Sequence, residues 1–141
     1  MKIKYQVKET KYVPEYANEF AAGADLKCRG DQVLFSGTTK IIPTGVSVEI
    51  PSGYKGVVSL RSGFASKNPV GISNGVGKID SDYRGEIGVI LHNYSFTHVQ
   101  LKDGERFAQI EIEPTKQAEF EYAQEISETE RGSGGFGSTG A

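Results

Sequence analysis

An all-β fold, a sandwich or barrel, is what this sequence predicts, and three observations carry that expectation. Eighteen of the 141 residues are glycine. No window sustains apolar residues at helical spacing. Short alternating segments recur instead, with turn signals roughly every eight to twelve residues.

In chain order, Ile3, Tyr5 and Val7 alternate with Lys4 and Gln6, so residues 2–8 read as an opening strand. Residues 11–20 lack periodicity, carry Pro14 and read as a loop. The small-residue run Ala21-Ala22-Gly23-Ala24-Asp25-Leu26 ends with a carboxylate beside a short strand. Val33 with Phe35, then Ile41 with Ile42, suggest two further strands joined through Ser36-Gly37. Over residues 44–50, Val46, Val48 and Ile50 face inward while Ser47 and Glu49 face outward. Pro51-Ser52-Gly53 makes a turn, and 57–60 returns as a strand.

The run Arg61-Ser62-Gly63-Phe64-Ala65-Ser66-Lys67 breaks the alternation and has room for a helical turn or two. Ile87, Val89 and Leu91 then alternate with Gly88, Ile90 and His92. Val99 and Leu101 lead into the turn Lys102-Asp103-Gly104-Glu105. Over 106–113, Ala108, Ile110 and Ile112 share one face, and Gln109, Glu111 and Glu113 the other. Ala118, Phe120 and Tyr122 predict a last strand. From about Ser127 the chain turns glycine-rich and offers nothing to a core. The expected organisation is a core over 1–126 and a flexible C-terminal segment over 127–141.

Composition narrows the function. Sixteen basic and 18 acidic side chains leave a formal charge of -2, which is no footprint for nucleic acid or an anionic membrane. A polyanionic ligand must therefore meet a few placed cations. The single cysteine, Cys28, excludes an internal disulfide and a cysteine metal cluster. The polar segment after Met1 resembles neither a signal peptide nor a spanning helix, so a cytoplasmic, reducing compartment is expected.

Chemistry concentrates in residues 75–86, where a strand, a sharp turn and a returning strand are expected. Asp80, Asp82, Tyr83 and Arg84 crowd the turn, with Asp80 directly after the apolar anchor Ile79. Read alone, this is first a surface hairpin whose aspartates make turn hydrogen bonds. With Asn74 this stretch forms one block, 74–86, and four others, at 22–26, 61–65, 104–109 and 131–140, accompany it. In this order and spacing, the five blocks resemble the trimeric deoxyuridine triphosphate nucleotidohydrolases, the dUTPases, over nearly the whole chain.

That resemblance implies a jelly-roll-like β-barrel, the β-clip of this family. It also implies a homotrimer with active sites at subunit interfaces and the C-terminal tail exchanged between subunits. The implied reaction is Mg²⁺-assisted attack of water on the α-phosphorus of dUTP, giving dUMP and pyrophosphate. By family position Asp80 is the base that activates water, and Gln109 reaches the α-phosphate or that water. Asp25 holds a water of the Mg²⁺ ion, which normally takes phosphates and waters with few protein ligands. Arg61, Ser62 and Gly63 meet phosphate oxygens. Uracil is read by backbone around Gly77, Lys78 and Ile79 with the Asn74 amide, because its acceptor–donor–acceptor edge suits main-chain groups. Tyr83 packs under the deoxyribose, leaving no room for a 2′-hydroxyl.

In the tail, Phe136 stacks on uracil and Arg131 grips the γ-phosphate, with Gly137, Ser138 and Thr139 beside them. Each residue also has a plainer reading. Asp25 suits a turn, Ser62 a helix cap, Gln109 an exposed strand position and Tyr83 a half-buried strand aromatic. His92 and His98 fall in no family block and read as strand-surface residues.

The chain departs from the family pattern at Leu60, Phe64, Lys78 and Gly88. The first two suggest packing changes. Lys78 adds a cation beside the uracil-reading strand, and Gly88 offers only backbone where relatives can carry a substrate-touching side chain. Two rival functions share the fold. A dCTP deaminase needs a carboxylate where Ile90 stands, and a nucleotide-regulated binding protein that has lost turnover is expected to have lost Asp80, Gln109, Arg131 or Phe136.

Overall fold

A computed structural model describes residues 1–138 and 140. Eleven strands and one short helix appear among them: β1 Lys4–Val7, β2 Ala24–Lys27, β3 Gln32–Leu34, β4 Thr39–Pro43, β5 Val46–Glu49, β6 Tyr54–Leu60, α1 Ser62–Ala65, β7 Val70–Ile72, β8 Gly77–Ile79, β9 Gly88–Asn93, β10 Val99–Leu101 and β11 Arg106–Pro114. Four antiparallel sheets result, ordered β1-β5, β10-β3, β2-β11-β6-β8 and β4-β9-β7. The all-β expectation holds, and the helical turn expected after Arg61 is α1.

Alternation decides which side chains enter the core. Val46, Val48 and Ile50 are buried, as are Ile87, Val89 and Leu91, and Val99 with Leu101. Phe64 on α1 packs edge-to-face on Phe107 of β11, ring centroids 6.0 Å apart, so the departure at Phe64 is a packing change. Cys28 is buried, its thiol directed at the Gly30 carbonyl. Burial, then the nearby acidic Glu105, Asp103 and Asp31, push that thiol up to about 12, which removes it from nucleophilic chemistry.

Between Arg106 and Ala108, β11 is bulged against β2. The bulge turns both Phe107 and Ala108 into the core and returns Arg106 to the face that carries Gln109. Strict alternation would have set Arg106 on the core face with Ala108 and Ile110.

The structure differs from the sequence reading in four places. Residues 115–126 form no strand, and Phe120 and Tyr122 are 96% and 88% exposed. A strand exists only where a second strand takes its hydrogen bonds, and no strand edge among the described residues pairs with this segment. The stretch 75–86 is not a paired hairpin: β8 bonds to β6, while β9 bonds to β4 and β7. Residues 10–12 form a 3₁₀ turn at the start of the expected loop, and it buries Tyr12. Phe35 and Ile41 are exposed, because their neighbours Leu34 and Ile42 take the core positions.

Candidate active site

The site residues fall into two groups, set by strand register. In the first, Asp25, Gln109 and Ser59 lie opposite one another across β2, β11 and β6. Gln109 donates from Nε2 to the Ser59 hydroxyl at 3.3 Å. The Asp25 side chain is only 7% exposed and takes two guanidinium groups, Arg61 Nε on Oδ1 at 2.8 Å and Arg106 Nη1 on Oδ2 at 3.2 Å. Arg61 is placed by its own N–H, which donates to the carbonyl of the bulge residue Phe107 at 3.0 Å.

Arg61 also begins α1. It is the N-cap, and no side chain caps the helix, so the reading of Ser62 as a cap does not hold. Ser62 and Gly63 are exposed, and first-turn N–H groups have no partner within a helix. Two guanidiniums, a hydroxyl, free N–H groups and a carboxamide thus converge on one end of the four-stranded sheet. Such a set neutralises and orients phosphate oxygens. Ser59 and Arg106 were not singled out in the sequence. Ser59 gave no signal beyond strand alternation with Arg61, and Arg106 lay inside the fourth block.

The second group surrounds β8. Because β8 and β9 belong to different sheets, they splay and leave a pocket of about 160 Å³ lined by Val58, Asn74, Gly77, Lys78, Ile79 and Gly88 among others. A second pocket of about 150 Å³ adjoins it, lined by Lys78, Ile79, Asp80, Tyr83 and Gly88. Gly77 and Ile79 face Val58 and Gly56 of β6, so alternation turns the exposed Lys78 side chain to the opposite sheet face. Asp80 is exposed, and among the described residues no cation or donor engages its carboxylate. Gly88 is bare because Ile41 leans over it: an added Cβ would come within 2.5 Å of Ile41 Cγ2.

Neither pocket includes a residue of the first group. The described residues of the tail join neither group. Arg131 donates to the Gly134 carbonyl at 2.9 Å, Phe136 is fully exposed with φ of 50°, and Gly137 and Ser138 lie in the same chain of turns. Thr139 lies outside the described residues. His92 is half-buried on Tyr94 and His98 is exposed, both away from these groups.

The donor set also bears on a metal. Among the described residues no group of three His, Cys, Asp or Glu side chains is placed to hold an ion. Asp25 is the one acidic side chain in the first group, and each of its oxygens keeps a lone pair beyond its arginine contact. That suits an ion held by phosphates and waters, with Asp25 accepting from one of the waters.

A family model described as dUTPase matches residues 9–140. A deoxyuridine 5'-triphosphate nucleotidohydrolase of Nautilia profundicola is 45% identical over 141 residues, with 99% of each chain covered. One from an Anaeromyxobacter species is 44% identical over 128 residues, covering 91% of this chain and 87% of its own. Among solved structures, the dUTPase of Staphylococcus bacteriophage 80alpha with dUpNHpp superposes with a TM-score of 0.89 at 29% identity, covering 99% of each chain. A mutant dUTPase of phage phi11 of S. aureus, solved with a structural Mg(II) ion, gives a TM-score of 0.80 at 25% identity and covers 89% of this chain and 99% of its own. This chain belongs to the dUTPase family.

Proposed function

We propose that the chain is a dUTP diphosphatase, hydrolysing dUTP to dUMP and pyrophosphate and so keeping uracil out of DNA while supplying dUMP for dTMP synthesis. The observation that carries this reading is the pair of adjoining pockets at β8, where a free Asp80 carboxylate and the Tyr83 ring line the outer one. Uracil enters the inner pocket and is read by main-chain groups of Gly77, Lys78 and Ile79 and by Asn74, with Gly88 keeping the opening clear. The deoxyribose lies in the outer pocket against Tyr83. Asp80 takes the proton of the attacking water and Gln109 orients the α-phosphate.

Arg61, Ser62 and Gly63 bind the phosphate chain, where positioning and charge neutralisation dominate phosphoryl transfer. When bound, Mg²⁺ neutralises charge on the triphosphate, and Asp25 holds one of its waters. Because the phosphate group and the base pockets share no pocket within one chain, the complete site is assembled from different subunits of a homotrimer. The exposed Phe120, Tyr122 and Ile126 support the exchange of the C-terminal segment. The tail over 127–141 closes as a lid, with Phe136 on uracil, Arg131 on the γ-phosphate and Gly137, Ser138 and Thr139 beside them. Among the described residues no helix is long and apolar enough to cross a membrane, and we place the enzyme in the cytoplasm.

The test is pyrophosphate release from dUTP with Mg²⁺, run beside dCTP, dTTP and UTP. Release from dUTP alone, abolished in Asp80→Asn, is the expected result. Binding of dUTP without release would sink the reading.

A further inference from the structure

Tyr83 lies folded back on its own loop. Its hydroxyl donates to the Glu86 carbonyl at 2.9 Å, and its ring covers Gly85. A Cβ added at Gly85 would stand 2.6 Å from Tyr83 Cζ and 3.0 Å from Cε2, and closer still to the hydroxyl oxygen. Carbon atoms meet at about 3.5 Å or more, so ring and Cβ cannot share that space. Gly85 is absent from the positive-φ glycines, so its backbone would accept alanine. The bare position serves the ring.

The acceptor cannot follow a displaced ring. The Glu86 carboxylate takes Arg29 Nε at 2.9 Å, Arg29 Nη2 at 3.2 Å and the Gly45 N–H at 2.8 Å. The next residue is tied as well, Ile87 N–H donating to the Val46 carbonyl at 2.7 Å. An alanine at 85 would therefore move the ring, and Tyr83 would leave the wall that it shares with Ile79, Asp80 and Gly88.

We propose that Gly85 is a specificity-determining position: its bare backbone and the anchored Glu86 carbonyl together hold the Tyr83 ring where it rejects a ribonucleotide. Arg29 acts one step further back, as a positioning residue for Glu86. The inference rests on Tyr83 being the sugar-facing wall of the proposed dUTP site.

The experiment compares kcat/KM for dUTP and UTP in the unsubstituted chain and four variants. Gly85→Ala is expected to narrow discrimination at least about tenfold, approaching Tyr83→Ala. In the Tyr83→Ala background the same substitution is expected to change the ratio less than about twofold, because no ring remains to move. Tyr83→Phe keeps the ring and loses only the bond to Glu86, and it is expected to narrow the ratio part of the way. It carries the test if Gly85→Ala does not fold. A collapsed ratio in Tyr83→Ala with unchanged ratios in Gly85→Ala and Tyr83→Phe overturns this inference alone. An unchanged ratio in Tyr83→Ala overturns the sugar-wall reading and the inference with it.

Discussion

Arg61 Nε stands 2.8 Å from Asp25 Oδ1 in an ion pair, joining the second of the five sequence blocks to the first. The contact holds the guanidinium at the end of the sheet where the proposed site takes phosphate, and it also compensates a carboxylate that the fold has largely removed from water. Under that proposal one side chain serves both stability and binding.

Removing that guanidinium separates the two roles. Arg61→Ala leaves Asp25 with Arg106 alone, and the expected loss is about 1–3 kcal/mol, held to that range because Arg61 is itself 30% exposed. Urea unfolding measures it. The double variant Asp25→Ala/Arg61→Ala is expected to regain part of the loss, since it leaves no carboxylate short of a partner.

Asp103 makes the fold sensitive to acid. Hydrogen bonds from Lys11, then Tyr12 and the Gly30 N–H, lower its carboxyl from 3.8 to about 2. A lowered carboxyl contributes stability above its unfolded value and loses it as pH falls through the folded one. The wild-type melting temperature should therefore drop between about pH 4 and pH 2. Asp103→Asn should melt lower at neutral pH, with a shallower fall across that window.

Gly45 is irreplaceable for two reasons. Its φ of 73° lies in the left-handed region, and an added Cβ would stand 2.7 Å from Tyr12 Cδ2 in the core. Gly45→Ala is expected to cost about 2–4 kcal/mol from backbone strain and overpacking together, read from denaturant midpoints. Gly53 has φ of 83° with open space around it, so Gly53→Ala should show the backbone part alone, about 1 kcal/mol.

The tail should be dispensable for folding and needed for turnover. Among the described residues none after Pro114 belongs to the buried core. Deleting 127–141 is expected to leave the melting temperature within a degree or so while cutting kcat/KM for dUTP severely. Phe136→Ala alone should cost roughly 10- to 100-fold if it stacks on the base. A deletion variant with unchanged kcat/KM would remove the lid from the account.

Much of the fold was legible because alternation is a local signal. The runs through Val46, Val48 and Ile50 and through Ile87, Val89 and Leu91 announce their buried faces without knowing their neighbours. The same logic failed at Tyr12, whose burial follows from its hydroxyl reaching Asp103 at 2.6 Å, a residue far along the chain. It failed at Phe120 and Tyr122 as well, where a strand-like pattern finds no strand to pair with inside one chain.

Alone, the sequence determined the all-β class, the inward set of most strands and the five blocks that resemble the family, because side-chain period and residue order are written locally. Tertiary structure decided which strands pair and which way irregular residues face. It paired β8 with β6 and thereby opened the pocket beside β9. It bulged β11 at Phe107, which turned Arg106 from the core face to Asp25. It brought Arg29 to Glu86, and so fixed the carbonyl that holds Tyr83. Hydrogen-bond partners and bulges are chosen by the whole packed chain, and a local pattern carries no record of that choice.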